Sequence, residues 1–551
     1  MRKDPPVVGI DLGTTYSCVA RVDETGKAVV IKNFEGDNTT PSVVLFEDGN
    51  VVVGKTAKES SKLDPDNVVS FIKRRMGRDY TFQHAGKSYR PEEISAYILK
   101  KLASDSAQAL GYEAITDVVI TVPAYFGISE REATREAGRI AGLNVLEIIN
   151  EPTAAAISYG MSDLTGEKII LVYDLGGGTF DVTLMKVSPV SFDVIVTDGH
   201  NELGGKNWDD RIVRHLVTKF AEATDSAEDD LYNDPQTMAD LQYGAEFNIK
   251  RRLTAREKAE VVVQRDGNRE RIEVTRQEFD DLTSDLLAQT IDITRKALTE
   301  AKKKGFDRFD EIILVGGSSR MPQVLQRVEQ EFGMAPRLFD PDEAVARGAA
   351  IVAENRSLMK RIHEALGQVP TTEEEVRKMD ARQRSVLESE ARERGLDVKA
   401  LLGSMAMTDT AVCAKSFGIV SMDEDGREQV TNLILRNTTL PREMEKQFGT
   451  FSEGQTEVQI QIMENELTEE TVEVGMCKQI GSGSLIFGRA MPKGTPIDVT
   501  FTLKRDGTLG ITARERVTGN HVNVTVETAN VIRGAELDEA IRRTAGVTVL
   551  S

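Results

Sequence analysis

Cysteine is nearly absent from this chain: three residues in 551, Cys18, Cys413 and Cys477. Thiols so few and so scattered build neither a disulfide framework nor a zinc site, and they favour a reducing, cytoplasmic setting. No long uncharged apolar run occurs, and the opening Met-Arg-Lys-Asp-Pro-Pro carries no apolar signal region, so no membrane partner is expected. Basic residues are outnumbered, 69 Lys and Arg against 89 Asp and Glu; the net charge of −20 argues against a nucleic-acid partner. No G-x-G-x-x-G fingerprint follows a strand, and no nucleophile elbow is evident. One P-loop pattern does occur, from Gly49 to Thr56. Three consecutive valines lie between its glycines, and β-branched residues resist the positive φ that a phosphate nest needs. A hairpin is expected there instead, with Asp48-Gly49-Asn50 joining Val43–Phe46 to Val51–Val53.

What is present is ordinary in bulk and specific in detail. Apolar residues make up 40% and charged residues 29%, the balance of a globular protein, and the length implies three to four domains. Two distant segments are variants of one phrase. Val8-Gly9-Ile10-Asp11-Leu12-Gly13-Thr14-Thr15-Tyr16-Ser17 and Leu171-Val172-Tyr173-Asp174-Leu175-Gly176-Gly177-Gly178-Thr179-Phe180-Asp181 each run apolar, then Asp-Leu-Gly, then small residues, then apolar again. Each reads as a hairpin whose turn exposes successive N–H groups, with glycine supplying the free φ of an anion nest. One such turn alone is as easily a plain hairpin. Two in matched strand contexts point to a duplicated domain gripping a polyphosphate from both sides. Asp11 would repel phosphate directly, and an intervening Mg²⁺ with its waters resolves that conflict. A third turn, Val315-Gly316-Gly317-Ser318-Ser319-Arg320, follows the strand Ile312–Val315; there a base or ribose can approach the backbone, and Arg320 can stack on the base.

Along the chain, residues 7 to about 353 alternate strand and helix patterns, including Val118–Val122, Glu130–Ala141 and Phe279–Ala301, an α/β architecture. From Thr371 to Arg394 the sequence is dense in Glu, Arg and Lys. It reads as a solvated helical connector, opened by a Thr372/Glu375 capping box, with a partner-binding helix as the alternative. From about 409, Val458, Ile460 and Ile462 alternate with polar residues. Strands at Asp498–Leu503 and Gly510–Ala513, and turns at Asp506-Gly507 and Thr518-Gly519, complete an all-β domain. Residues 534–551 read as one short helix that then stops.

These and further stretches together resemble the seventy-kilodalton heat-shock chaperones, the DnaK family, on the actin-like ATPase fold. The stretches are Gly9–Ser17, Gly36–Ser42, Lys73–Arg78, Val119–Phe126, Ile148–Ala156, Asp174–Asp181, Leu314–Pro322, Asp340–Ala350 and Arg436–Pro441. The resemblance implies four parts: an actin-like (ribonuclease H-like, duplicated) ATPase domain at 6–353, a charged helical insert at 354–408, a β-sandwich peptide-binding domain at 409–532, and a short tail at 533–551 in place of the family's helical lid. It implies slow ATP hydrolysis, with ATP or ADP, Mg²⁺ and a K⁺-like cation bound. It also implies extended apolar polypeptides as substrates, with a J-domain cochaperone and an exchange factor as partners. Lys73, Glu151, Asp174, Asp11 and Thr179 resemble the catalytic set, and Asp11, Asp174 and Asp181 the acids facing the cations. Gly13, Thr14, Thr15, Tyr16, Gly176, Gly177 and Gly178 match the phosphate turns. Gly204, Gly205, Lys250, Thr254, Gly316, Gly317, Ser318, Arg320 and Asp342 match the rest of the nucleotide site. Pro123 and Arg131 fall where the family relays nucleotide state. The peptide cleft is expected at Ile419, Met422, Phe448, Phe451, Val458 and Ile460.

The chain departs from the family pattern at several places. Lys206 and Asn207 stand where the family has two acids. The ribose-contacting glutamate falls on Phe247, with Glu246 one place off. The Leu-rich interdomain linker is replaced by the insert, which ends in Asp409-Thr410-Ala411-Val412, so rewired or lost interdomain coupling is expected. The stretch Phe82–Arg90 is shortened, and without a lid peptide should exchange fast. Two readings of other classes compete: an ATP-sensing scaffold for one particular partner, and a small-molecule kinase on the same fold, which would leave the β domain unexplained.

Overall fold

The computed structural model describes residues 5–47, 49–163, 166–188, 191–370, 372–394, 396–405, 408–505, 507–516, 519–525 and 530–550. The turn residues Asp48, Asp506 and Thr518 lie outside them.

The apolar runs around the two Asp-Leu-Gly turns form the centres of two sheets with the same connectivity. In the first, Val8–Asp11 pairs antiparallel with Tyr16–Val22 and parallel with Asp117–Val122. In the second, Lys168–Leu175 pairs antiparallel with Phe180–Val187 and parallel with Glu311–Val315. The central strands are buried on both faces, so they read as continuous rather than alternating apolar runs. The helices Glu151–Asp163 and Ala344–Leu366 pack between the sheets. Their approach needs glycine: a Cβ on Gly348 would stand 1.8 Å from the Ala154 carbonyl oxygen, and one on Gly9 2.1 Å from the Ala350 nitrogen. The P-loop pattern is not a nest: Asn50–Val53 is a strand paired with Val43–Glu47.

The Ala344–Leu366 helix runs unbroken through position 353, from the nucleotide-domain core into the insert. The insert is not a solvated connector. Its helices Glu373–Lys378, Ala381–Glu393 and Val398–Met405 fold back onto that helix, burying Met379, Leu387 and Leu401 against Leu358 and Ile362. Sparse apolar residues suffice because each closes on the same strip of one helix. The Thr372/Glu375 capping box is present.

The strand Thr408–Val412 then adds in parallel to Ser191–His200 and pairs with Thr439–Leu440 of the β domain. The segment in the linker's place is therefore docked on the nucleotide domain although the leucines are missing. Strand addition uses main-chain groups, so it survives the loss of leucines. The sandwich packs a five-stranded sheet, ordered Thr471–Val472, Glu428–Ile434, Ser416–Met422, Gln455–Asn465, Lys478–Met491, on a four-stranded one, ordered Arg442–Gly449, Pro496–Leu503, Leu509–Glu515, His521–Thr525. Phe417, Ile462, Phe487 and Phe501 fill the space between them.

The tail is a helix, Gly534–Ala545, followed by a strand, Thr548–Leu550, which pairs in parallel with Asn50–Val53. The sequence pattern missed that strand because its partner lies almost 500 residues away. Among the described residues no helix is long and apolar enough to cross a membrane.

Candidate functional site: a cleft between two phosphate turns

The two turns meet at the base of a cleft of about 460 Å³ between the lobes. A Cβ on Gly177 would lie 1.8 Å from Thr15 Oγ1, and one on Gly178 would lie 2.7 Å from Thr14 Oγ1. Gly204 presses on the backbone of Gly178, and Gly205 N–H donates to the Gly176 carbonyl at 3.0 Å. Gly13, against the Tyr16 carbonyl, and Gly316, at φ 79° against Asp174 Oδ1, admit no side chain either. Thr15 Oγ1 is buried with no hydrogen-bond partner, an orphaned donor facing the turn.

Four carboxyls and one ammonium line or underlie the floor. Lys73 pairs with Glu151, and both are more than nine-tenths buried. Thr121 Oγ1 donates to Asp11 at 3.0 Å, and Tyr125 N–H donates to Asp181 at 3.0 Å. Burial, then the nearby Glu151, pushes Asp11 up to about 7 and Asp181 up to about 8. Burial, then Glu151 and Asp181, holds Asp174 well above the usual carboxylate range. A buried floor with this excess of acid suits cations. Among the described residues no three ligating side chains converge into a metal cage. The donors therefore fit Mg²⁺ held through waters and phosphate oxygens, the arrangement that ion prefers.

The cleft's upper part gathers Lys250, Thr254, Gly317, Ser318, Arg320 and Asp342. Lys250 Nζ donates to Asp209 at 2.6 Å, and Arg320 pairs with Asp342 at 2.5 Å. The anomaly at Phe247 has a backbone explanation. Gly244–Lys250 is a π-helix, whose wider turn presents Glu246 to the cleft. Glu246 closes a latch over the mouth: Lys58 Nζ donates to both its oxygens at 2.8 Å, and Arg251 pairs with it at 3.2 Å. Tyr16 hydroxyl accepts from Lys58 at 3.0 Å, while the Phe247 ring stacks on Tyr243 and carries the Lys58 and Arg251 cations. Burial alone would raise Glu246, but these cations and Lys250 hold it below its ordinary value. Lys58 and Asp209 were not legible in the sequence, because a lysine in a short helix carries no local mark of what it reaches. At the substituted loop, Asn207 Oδ1 accepts from Arg74 Nη2 at 2.7 Å across the lobes and from Gly204 N–H, while Lys206 pairs with Asp210.

The six residues expected in a peptide cleft divide. Ile419 and Ile460 are core side chains, with Phe448 and Val458 packed partly buried against the same cluster. Met422 and Phe451 are exposed, and the Phe451 ring lies beside Gly426, bridging the turns Asp423–Arg427 and Thr450–Gly454. Strand alternation turns Ile419 and Ile460 into the sandwich interior. Pro123 sits in the turn before the helix Ile128–Ile140, with its carbonyl accepting from Phe126 N–H at 3.1 Å. Arg131 reaches Asn150 and the Phe126 carbonyl, and its Cδ meets Gly507 of the sandwich.

A duplicated pair of hairpin turns closing on one acid-floored cleft defines an actin-like ATPase domain, and the linker strand carries a β-sandwich onto it. The family model described as Hsp70 protein matches residues 7–85, 81–366 and 369–547, and the chain belongs to the Hsp70 family. It is a chaperone ATPase of the Hsp70 type, a family that generally binds ATP or ADP with Mg²⁺, unfolded peptides and cochaperones.

Proposed function

We propose that this chain binds and hydrolyses ATP in the interlobe cleft and holds extended apolar segments of unfolded proteins on its β-sandwich. The observation that carries the reading is the contact of the two turns, Gly177 on Thr15 and Gly178 on Thr14, with the Lys73–Glu151 pair beneath them. The main-chain donors of Gly13–Thr15 and Gly176–Thr179 cradle phosphates from opposite lobes. Bound Mg²⁺ supplies charge neutralisation to the phosphates. Lys73 places one positive charge at the developing negative charge, and Glu151 orients the attacking water; positioning and electrostatics suffice for phosphoryl transfer to water. Asp181 faces a monovalent cation, and Lys250, Thr254, Ser318 and Arg320 hold the adenosine.

The latch governs nucleotide release. Lys58→Ala is expected to speed ADP dissociation about tenfold, the loss of one largely desolvated, charge-assisted contact. Stopped-flow release of a fluorescent ADP analogue measures it, and an unchanged rate removes the latch from that role.

The docked linker strand supports communication between the domains. Release of a labelled extended apolar peptide is expected to be faster in ATP than in ADP. Equal rates would leave a holdase without coupling, and one tight partner with no general peptide binding would favour the ATP-sensing scaffold.

A further inference from the structure

The segment 530–550 leaves the sandwich and binds the first lobe along its whole length. Arg90 Nη2 donates to the Asn530 carbonyl at 2.6 Å, and Ile532 N–H approaches Glu92 Oε1 at 3.4 Å. Ile532, Leu537 and Ala540 are buried against Ala96 and Ile140, on the helices Pro91–Leu110 and Ile128–Ile140. Charge is complementary across this contact. Arg533 pairs with Glu132, and Arg543 pairs with Glu93 at 3.0 Å. Lys100 Nζ takes the Thr544 and Val547 carbonyls at 2.8 and 2.9 Å, capping the end of the Gly534–Ala545 helix. Beyond it Thr548, Val549 and Leu550 pair with Asn50, Val51 and Val52 and close the edge of a small sheet.

That edge strand has a consequential neighbour. Asn50–Val53 runs through Gly54, at φ 103°, straight into the short helix Lys55–Ser60, which carries Lys58 of the latch. The segment thus holds the sandwich to the first lobe at one end and stiffens the root of the latch at the other.

We infer that residues 530–550 are a strap acting in cis, a helix-and-strand ligand of the first lobe that keeps the sandwich docked and slows opening of the latch. Its effect on nucleotide rests on the function proposed above; its effect on docking does not.

The test uses the full chain with three separate substitutions: Val549→Pro, Leu550→Pro and Arg543→Glu. Successive strand N–H groups point to opposite sides, so one of the two prolines must remove the donor that faces the Asn50–Val53 strand. Arg543→Glu opposes Glu93 without touching the core. In one proline variant and in Arg543→Glu, amide exchange of Val51–Val53 is expected to rise about tenfold or more. The radius of gyration in solution should grow, and ADP release should quicken. Wild-type exchange and wild-type radius in all three variants would overturn the strap. So would an effect that fades as protein concentration rises, because the segment would then be acting between copies. Exchange and scattering need no nucleotide, so they decide the strap even where the nucleotide reading fails.

Discussion

Lys73→Ala is expected to reduce single-turnover ATP hydrolysis by about 100-fold or more, while nucleotide affinity changes by less than about tenfold. The asymmetry follows from how the cleft divides its labour. In the proposed function, phosphates are gripped by the main chain of Gly13–Thr15 and Gly176–Thr179, which the substitution does not touch. Lys73 instead supplies a point charge, buried and held by Glu151. Removing it also strands Glu151 beside three other acids, which costs on the order of 3–5 kcal/mol of stability, so the variant should melt earlier as well. Lys73→Arg separates the two effects. It keeps a cation opposite Glu151, yet a planar guanidinium does not reproduce a compact ammonium, so hydrolysis should still fall while stability recovers. Turnover of wild-type speed in Lys73→Ala would remove that lysine from catalysis.

Docking of the sandwich should depend on pH through Glu464. This residue is buried at the face where the sandwich meets the first lobe. Its Oε2 and that of Glu130 crowd the same point, 2.8 and 3.0 Å from where a Cβ of Gly127 would stand, and neither oxygen has a hydrogen-bond partner. Burial, then Glu130, pushes Glu464 up to about 7, against the pull of Lys415, Lys478 and the Ile128 backbone N–H. The shift is upward, so the docked form takes up a proton. Docking should therefore be strongest near pH 5, weaken by up to about tenfold per unit as pH rises toward 7, and level off above it. Glu464→Gln, neutral throughout, should flatten the profile and dock more tightly at pH 8. Scattering or interdomain fluorescence transfer across pH 5 to 8 measures it. A flat wild-type profile, or a Gln variant that keeps the slope, would show that this carboxyl pair does not govern docking.

What the sequence determined by itself was everything written in local pattern. The Asp-Leu-Gly turns, the apolar runs beside them, the strand in place of a P-loop, the Thr372 cap and the alternation of the sandwich all depend on neighbours within a few residues. Side-chain period and turn chemistry alone therefore specify them. The tertiary structure decided the rest. Linker docking and the terminal strand of the strap are strand additions, made by main-chain groups that every sequence possesses, so no residue type marks them. Glu246 replaced Phe247 at the cleft because a π-helical turn changed the angular register, which residue spacing on an α-helix does not reveal. The Glu130–Glu464 contact joins residues more than 300 positions apart, and only packing could put two acids on one glycine.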